Sequence, residues 1–448
     1  MKSGRRMRDD ADRILGAALG AVDPEAAVRR FVRRRGGILR VHDRTFRLGD
    51  FRNVWLIGAG KAAGPMARAL EGILGRALRG GILVTKYGHG LPLARVETLE
   101  AGHPLPDENS LAAGRRIAHF AREQAGRGDL VICLISGGAS ALLMAPAPGV
   151  DWRDKLRATE LLLKSGADIR EVNAVRKHLS LLKGGGLARL LAHVRVIALV
   201  LSDVVGDALD TIASGPLAPD PTTFGECLEI LERRGVAASM PAPVMGRLRL
   251  GASGSIPETP KPGDPALRDI VHVIVGNNAL ACTAAAREAR RIGYRPLVLT
   301  SRAAGDTAEC AHFHMSIVQE IVYEGRPVRP PACLISGGET TVRVTGSGTG
   351  GRNQEFVLHC VRPLSSLAAP CLVASMGTDG TDGPTDAAGA AADNTTLARS
   401  LRHGAHFLDE CLRNNDSYRF FGILGDRIVT GPTRTNVMDL RVILIGPR

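Results

Sequence analysis

Aromatic residues and lysine are both scarce in this chain. Phe, Trp and Tyr make up 4% of its 448 residues, too few for the stacking platforms that hold single-stranded nucleic acids. A formal net charge of +13 invites a nucleic-acid reading, but the basic residues are spread along the chain and do not form a stripe. Such an excess suits a small anionic substrate and a nucleotide instead. No run reaches the roughly 18 uncharged apolar residues of a membrane span. The stretch from Met1 to Ile14 mixes both charge signs without the apolar core of a secretory signal, and Asp9, Asp10 and Asp12 interrupt the arginines a presequence would need. The expectation is a soluble, cytoplasmic protein with neither a nucleic-acid nor a membrane partner, a monomer or a homodimer. None of the eight cysteines stands in a C-x-x-C pair and several lie in apolar runs, as for buried reduced thiols and unlike a disulfide framework or a zinc site.

Two catalytic motifs are also missing. Without G-x-x-x-x-G-K-[ST] the chain has no P-loop, and without G-x-S-x-G, or a histidine placed as its base, acyl hydrolysis is not expected. Only eight of the 58 basic residues are lysines, so a lysine retained against that arginine bias hints at a need for a compact ammonium. Lys61, Lys86, Lys177 and Lys183 all fall in or beside glycine-rich or polar turns.

Glycine, by contrast, is abundant, with 53 residues mostly closing apolar runs. Apolar spacing through Ile14, Leu15, Ala18, Leu19 and Val22 predicts a helix that pauses at Asp23-Pro24 before a second, shorter one. Strands are predicted at Val54–Ile57, Gly81–Thr85, Leu130–Ile135 and Val194–Leu201, alternating with helical patterns, which implies a parallel sheet covered on both faces. The stretch from Ala237 to Asp264, rich in Pro, Gly and Ser, reads as a junction. Strands at Ile270–Val275, Pro296–Thr300, Cys333–Ile335, Thr340–Val344 and Cys371–Ala374 are then assigned to a second unit. The fold class is therefore α/β in two domains, 1–238 Rossmann-like and 239–448 a second α/β domain with a mixed sheet.

In an open parallel sheet ligands gather beyond the carboxyl ends of the strands, and the polar clusters of this chain fall there. Gly58-x-Gly60-x-x-x-Gly64 departs from a dinucleotide fingerprint, and the second strand ends Thr85-Lys86 where an NAD site usually carries an acid. That weakens a reductase, although Lys86 would tolerate NADP. The turn reads as an anion cradle with Lys61 projecting from it, or as a glycine turn for tight packing. Ser136-Gly137-Gly138-Ala139-Ser140 offers amides and hydroxyls to a carboxylate or phosphate; its echo at Cys333 to Gly338 is either a second such turn or an independent use of a good strand ending. Asn173 to His178 (with Arg176 and Lys177) reads as a phosphate contact or as a solvated face. The acidic loops holding Asp203 and Asp207, and Asp379 and Asp382, read as Mg2+ sites or as turn caps. Gly346 to Glu355, with Gly350, Gly351, Arg352 and Asn353, forms a backbone nest with a guanidinium at its edge, fit to stabilise a transferring phosphoryl group.

Taken in order, these motifs resemble the glycerate 2-kinases of the MOFRL-domain family over nearly the whole chain. Tyr87-Gly88-His89, Ala101-Gly102-His103-Pro104, Ser214-Gly215-Pro216, Ser336-Gly337-Gly338-Glu339-Thr340 and Thr430-Gly431-Pro432-Thr433 belong to the same resemblance. It implies ATP- and Mg2+-dependent phosphorylation of D-glycerate to 2-phosphoglycerate in a cleft between two α/β domains, the rival reading being an NAD(P)H-dependent hydroxypyruvate reductase. Lys61 and Arg352 are implied as catalytic. Ser136, Gly137, Gly138, Ser140, Asn173 and Arg176 are expected to hold substrate; Gly58, Gly60, Lys177, Gly350, Gly351 and Asn353 to hold nucleotide or phosphate; and Asp203, Asp207, Asp379 and Asp382 to hold metal. One departure stands out: Arg434 and Met438 occupy positions where the family is expected to have Gly and Asn.

Overall fold

The computed structural model describes residues 4–447, so Met1–Ser3 of the N-terminal stretch lie outside it. Two compact α/β units are present. One comprises Ala27–Ser202 and Asp207–Val275, the other residues 4–26, 203–206 and 276–447. Among the described residues no helix is long and apolar enough to cross a membrane.

The first unit is built on a six-stranded sheet. Its strands run Val96–Ala101, Leu78–Lys86, Val54–Ala59, Leu130–Ile135, Arg195–Leu201, Ile270–Gly276 across the sheet. In order of occurrence that is 3-2-1-4-5-6, the doubly wound Rossmann order, and the first five strands pair in parallel. All six residues of Leu130–Ile135 are buried, as a strand covered on both faces requires. Because the chain winds outward from Val54–Ala59 in both directions, right-handed crossovers put helices on opposite faces.

The expected junction does not hold here. The helices Phe224–Arg233 and Ala242–Ala252 share one apolar core through Phe224, Cys227, Leu231, Val244 and Leu248, so a break at 238/239 would split that core. Ile270–Gly276, assigned to the second unit from its sequence, is instead the sixth strand of this sheet.

The second unit carries a mixed sheet, in the order Arg295–Ala303, Ala332–Gly338, Asp439–Ile445, Cys371–Gly377, Gly389–Asp393, Arg427–Ile428. The first pair is parallel and the rest antiparallel. Asp439–Ile445, wholly buried, lies at the centre although it comes last in the chain. Thr340–Val344 forms no strand and is largely exposed. Helix Gly4–Ala21 belongs to this unit and buries Ile14, Leu15 and Ala18 as its spacing predicts. Asp23 then caps the next helix, Pro24–Phe31, by accepting from the Ala26 amide at 2.8 Å. All eight cysteines are free thiols, seven of them buried.

Candidate active site

The Rossmann order switches direction between the strands Val54–Ala59 and Leu130–Ile135, where such folds bind their ligands. The turns that follow these two strands are tied together there. The Lys61 amide donates to the Gly137 carbonyl at 2.9 Å and the Ala62 amide to Ser136 Oγ at 3.0 Å. Gly60, at φ 126°, approaches Ser136 so closely that a Cβ would collide with it. Ser136 itself is 1% exposed, so this hydroxyl fastens the two turns. Gly58 lies inside the strand against Leu83 and Leu134; its role is packing, not a phosphate contact.

Gly138 takes φ 87°, and a Cβ on it would come within 2.9 Å of the His103 ring and 3.3 Å of Lys61 Cγ. The Lys61 stem and the His103 imidazole therefore lie against its bare face. Burial, and then the positive charges of Lys61, Lys86 and His89, push the His103 pKa down to about 4. The imidazole is neutral near pH 7, and the Lys61 and Lys86 ammonium groups make this corner of the unit electropositive.

Helix Ile169–His178 starts at Asp168, which accepts from the Arg170 and Glu171 amides in a capping box. The residues at its far end take different roles. Asn173 is 8% exposed and accepts from Ser214 Oγ at 3.3 Å, while Ser214 Oγ lies 2.9 Å from Ser140 Oγ. Lys177, expected to hold phosphate, is 3% exposed and ion-paired with Asp210 and Asp220, each at 3.3 Å. Its charge is spent inside the unit, which makes it a structural residue.

In the second unit Arg352 opens the helix Arg352–Ser365. Its Nε donates to Asp439 Oδ2 at 2.7 Å and its Nη1 pairs with Glu339 Oε1 at 2.9 Å. Burial works against the guanidinium charge, but Asp439 and Glu339 outweigh it and hold the pKa above the ordinary arginine value. Asp439 is itself fully buried and also accepts from Asn353 Nδ2 at 2.9 Å and Arg441 Nη2 at 3.4 Å. A cleft of about 360 Å³ opens beside Arg352, lined by Glu339, Thr340, Gly348, Gly350 and Gly351 among others. The glycines are needed for close approach: a Cβ on Gly350 would meet Ser417 Oγ, and one on Gly351 would meet Asp382.

Two expected ligands prove to be structural. Asn353, 0% exposed, donates to Asp382 and Asp439 and accepts from Ser375 Oγ at 2.6 Å; it faces the interior, not a nucleotide. Asp382 accepts from the backbone amides of Asn353 and Gln354 at 2.9 and 2.8 Å and from both their side chains. With both oxygens committed to anchoring a helix N-terminus, it is unsuited to metal. Burial, opposed by these amide bonds, raises its pKa. Asp379 closes a turn by accepting from Thr381 N and Oγ1 at 3.1 and 3.0 Å. Asp203 and Asp207 are half-buried, and Asp207 takes φ 60°. Among the described residues no three His, Cys, Asp or Glu side chains are gathered as a metal site.

The second Ser-Gly-Gly is not equivalent to the first. Ser336–Gly338 continues the strand, with Gly337 pressed against Asn278 and Gly338, at φ 132°, against Ala303; no helix opens there. Arg434 and Met438 both adopt left-handed backbone, φ 61° and 70°, the conformation that Gly and Asn tolerate best. Asp439, His103 and Glu339 were missed as site residues. Glu339, directly after Ser-Gly-Gly, and His103, in Ala-Gly-His-Pro, stood beside polar turns, whereas Asp439 offered only an acid opening an apolar run.

These features define a two-unit α/β protein whose strand-end turns concentrate cations and glycine-bordered clefts without a P-loop. Residues 10–249 match a domain of unknown function (DUF4147), and residues 332–439 match the MOFRL family. A glycerate 2-kinase of Pyrococcus horikoshii is 41% identical over 98% of this chain and 97% of its own length. A D-glycerate 2-kinase of Thermotoga maritima is 42% identical over 88% of this chain and 90% of its own. The crystal structure of a glycerate kinase from Thermotoga maritima superposes with a TM-score of 0.87 at 38% identity, covering 98% of this chain and 100% of that one. The chain belongs to the glycerate kinase family that carries the MOFRL domain.

Proposed function

We propose that this protein is a D-glycerate 2-kinase, transferring the γ-phosphoryl group of ATP to the 2-hydroxyl of D-glycerate to give 2-phosphoglycerate and ADP. The observation that carries this reading is Arg352: a guanidinium aimed by a buried carboxylate at the edge of a glycine-lined cleft, in a chain akin to glycerate kinases. Phosphoryl transfer asks the protein mainly for positioning and charge neutralisation. Lys61 and Arg352 are assigned to the moving phosphoryl group, with Gly60, Gly350 and Gly351 permitting close backbone approach. Gly137, Gly138, Ser140, Asn173 and Arg176 are assigned to the hydroxy acid.

Mg2+ is expected to arrive with the nucleotide, because this ion is commonly held by one or two carboxylates plus substrate phosphates. Asp203, Asp207 and Asp379 are the remaining candidates, and when bound the ion would neutralise phosphate charge. The protein is placed in the cytoplasm as a monomer or homodimer.

An ADP-coupled assay over a panel of hydroxy acids, with phosphorus NMR of the product, tests the reading. D-glycerate should give the highest turnover and a 2-phosphate resonance. NADPH absorbance should stay constant with hydroxypyruvate; NADPH consumption without ADP formation would overturn the proposal in favour of the reductase.

A further inference from the structure

Four cations of the first unit lie together without an acid among them. Lys155 and Lys183 are 2% and 1% exposed. Lys155 Nζ donates to the Leu179 carbonyl at 3.1 Å, Lys183 Nζ to the Ser140 carbonyl at 2.5 Å, and Arg247 Nε to the His178 carbonyl at 2.8 Å. The charges facing Lys155 are Arg176 and Arg247, and those facing Lys183 are Arg176 and Lys155. All are positive.

This imbalance is local. On the same helix as Arg176, Lys177 is matched by Asp210 and Asp220, and Glu171 holds Arg233 and Arg234. The unit thus supplies carboxylates to the neighbouring cations and withholds them here. A buried ammonium without a counter-charge is strongly disfavoured, and like charges beside it add to that. Burial together with that repulsion drives both lysine pKa values well below the ordinary one. An external anion would relieve both costs.

The cluster also has a rim. Arg176 is half-buried, and beside it run the linked polar groups of Ser140, Ser214 and Asn173. Lys183, through the Ser140 carbonyl, connects the buried charge to that rim.

We propose that Lys155, Lys183 and Arg176, backed by Arg247, form the recognition site for the carboxylate of the hydroxy acid. Arg176, at the rim, reaches the carboxylate directly, and the two lysines behind it supply the buried positive charge that makes the site select an anion over a neutral polyol. The choice of carboxylate rests on the glycerate kinase reading; the anion-binding character of the site does not.

The test uses the full-length protein and the variants Lys155→Met and Lys183→Met. Thermal unfolding is followed with D-glycerate, glycerol or inorganic phosphate, alongside KM values for D-glycerate and ATP. Glycerate should raise the wild-type Tm and glycerol should not. Each methionine variant should have a ligand-free Tm at or above wild type, since a buried repulsion is removed. Each should also lose the glycerate-induced rise and show a KM for glycerate raised about tenfold or more, with KM for ATP within about twofold. Should either variant fail to fold, Arg176→Gln at the rim provides the same comparison.

An undiminished glycerate shift and an unchanged glycerate KM in the variants would overturn the inference while leaving the kinase reading intact. Absence of glycerate phosphorylation by the wild type would overturn that reading alone, with the phosphate arm still testing the cluster. A lysine-dependent phosphate shift beside a lysine-independent glycerate shift would overturn the carboxylate assignment.

Discussion

Arg352 is useful only if it is aimed, and a residue 87 positions away aims it. Asp439 takes its Nε at 2.7 Å from a fully buried position, whereas Glu339, half exposed, takes Nη1. Arg352→Ala should lower kcat by about 10³-fold or more, the scale set by arginines that stabilise a transferring phosphoryl group. Asp439→Asn retains the shape but removes the counter-charge. It should lower kcat by about 10²-fold, the usual penalty for a misplaced catalytic group, with KM for D-glycerate little changed; steady-state kinetics on both variants would check this. A different cost attaches to Arg434, whose left-handed backbone, φ 61°, disfavours any residue with a Cβ by about 1–2 kcal/mol. Arg434→Gly should therefore raise Tm by roughly 3 °C in differential scanning calorimetry without altering kcat.

At the scale of elements, the buried pair of Lys177 and Asp220 joins the helix Ile169–His178 to a loop that also takes hydrogen bonds from Thr222 and Thr259 onto the same carboxylate. Asp220→Ala leaves the Lys177 ammonium, 3% exposed, with Asp210 as its one carboxylate and strips the Thr222 and Thr259 hydroxyls of their acceptor, and should cost about 3 kcal/mol in urea unfolding. That pairing also shows where sequence reading stops. Leu130–Ile135 and the helices on either side of Asp23-Pro24 were legible because periodicity and capping act within a few residues. Lys177 looked like a ligand because its partners lie 33 and 43 residues downstream. Asn353 and Asp382 were misassigned for a related reason: polar residues in a loop beyond a strand look alike whether they serve a helix end or a substrate, and only the closed hydrogen bonds distinguish them. The junction was misplaced because Pro and Gly around 237–264 punctuate a helical hairpin as readily as a linker.

For the whole molecule, each unit contains a histidine whose pKa burial pushes down to about 4: His103 in the first and His314 in the second. Well above pH 6.5 these rings are neutral whether the chain is folded or unfolded, and their titration contributes nothing to stability. As pH falls from 6.5 towards 4 the unfolded chain takes up protons that the folded one refuses, so stability declines through that window and levels off below it. His314→Gln should flatten part of this slope in denaturation curves taken at successive pH values. The placement of Asp439–Ile445 carries a consequence for biosynthesis. A nascent polypeptide stalled short of residue 439 holds the strand pair Arg295–Gly338 and the hairpin Cys371–Asp393 as separate fragments, each with a raw edge facing the gap. Until the closing ribbon threads between them, such an intermediate lacks the buried carboxylate that aims its key guanidinium and is adhesive towards its own kind.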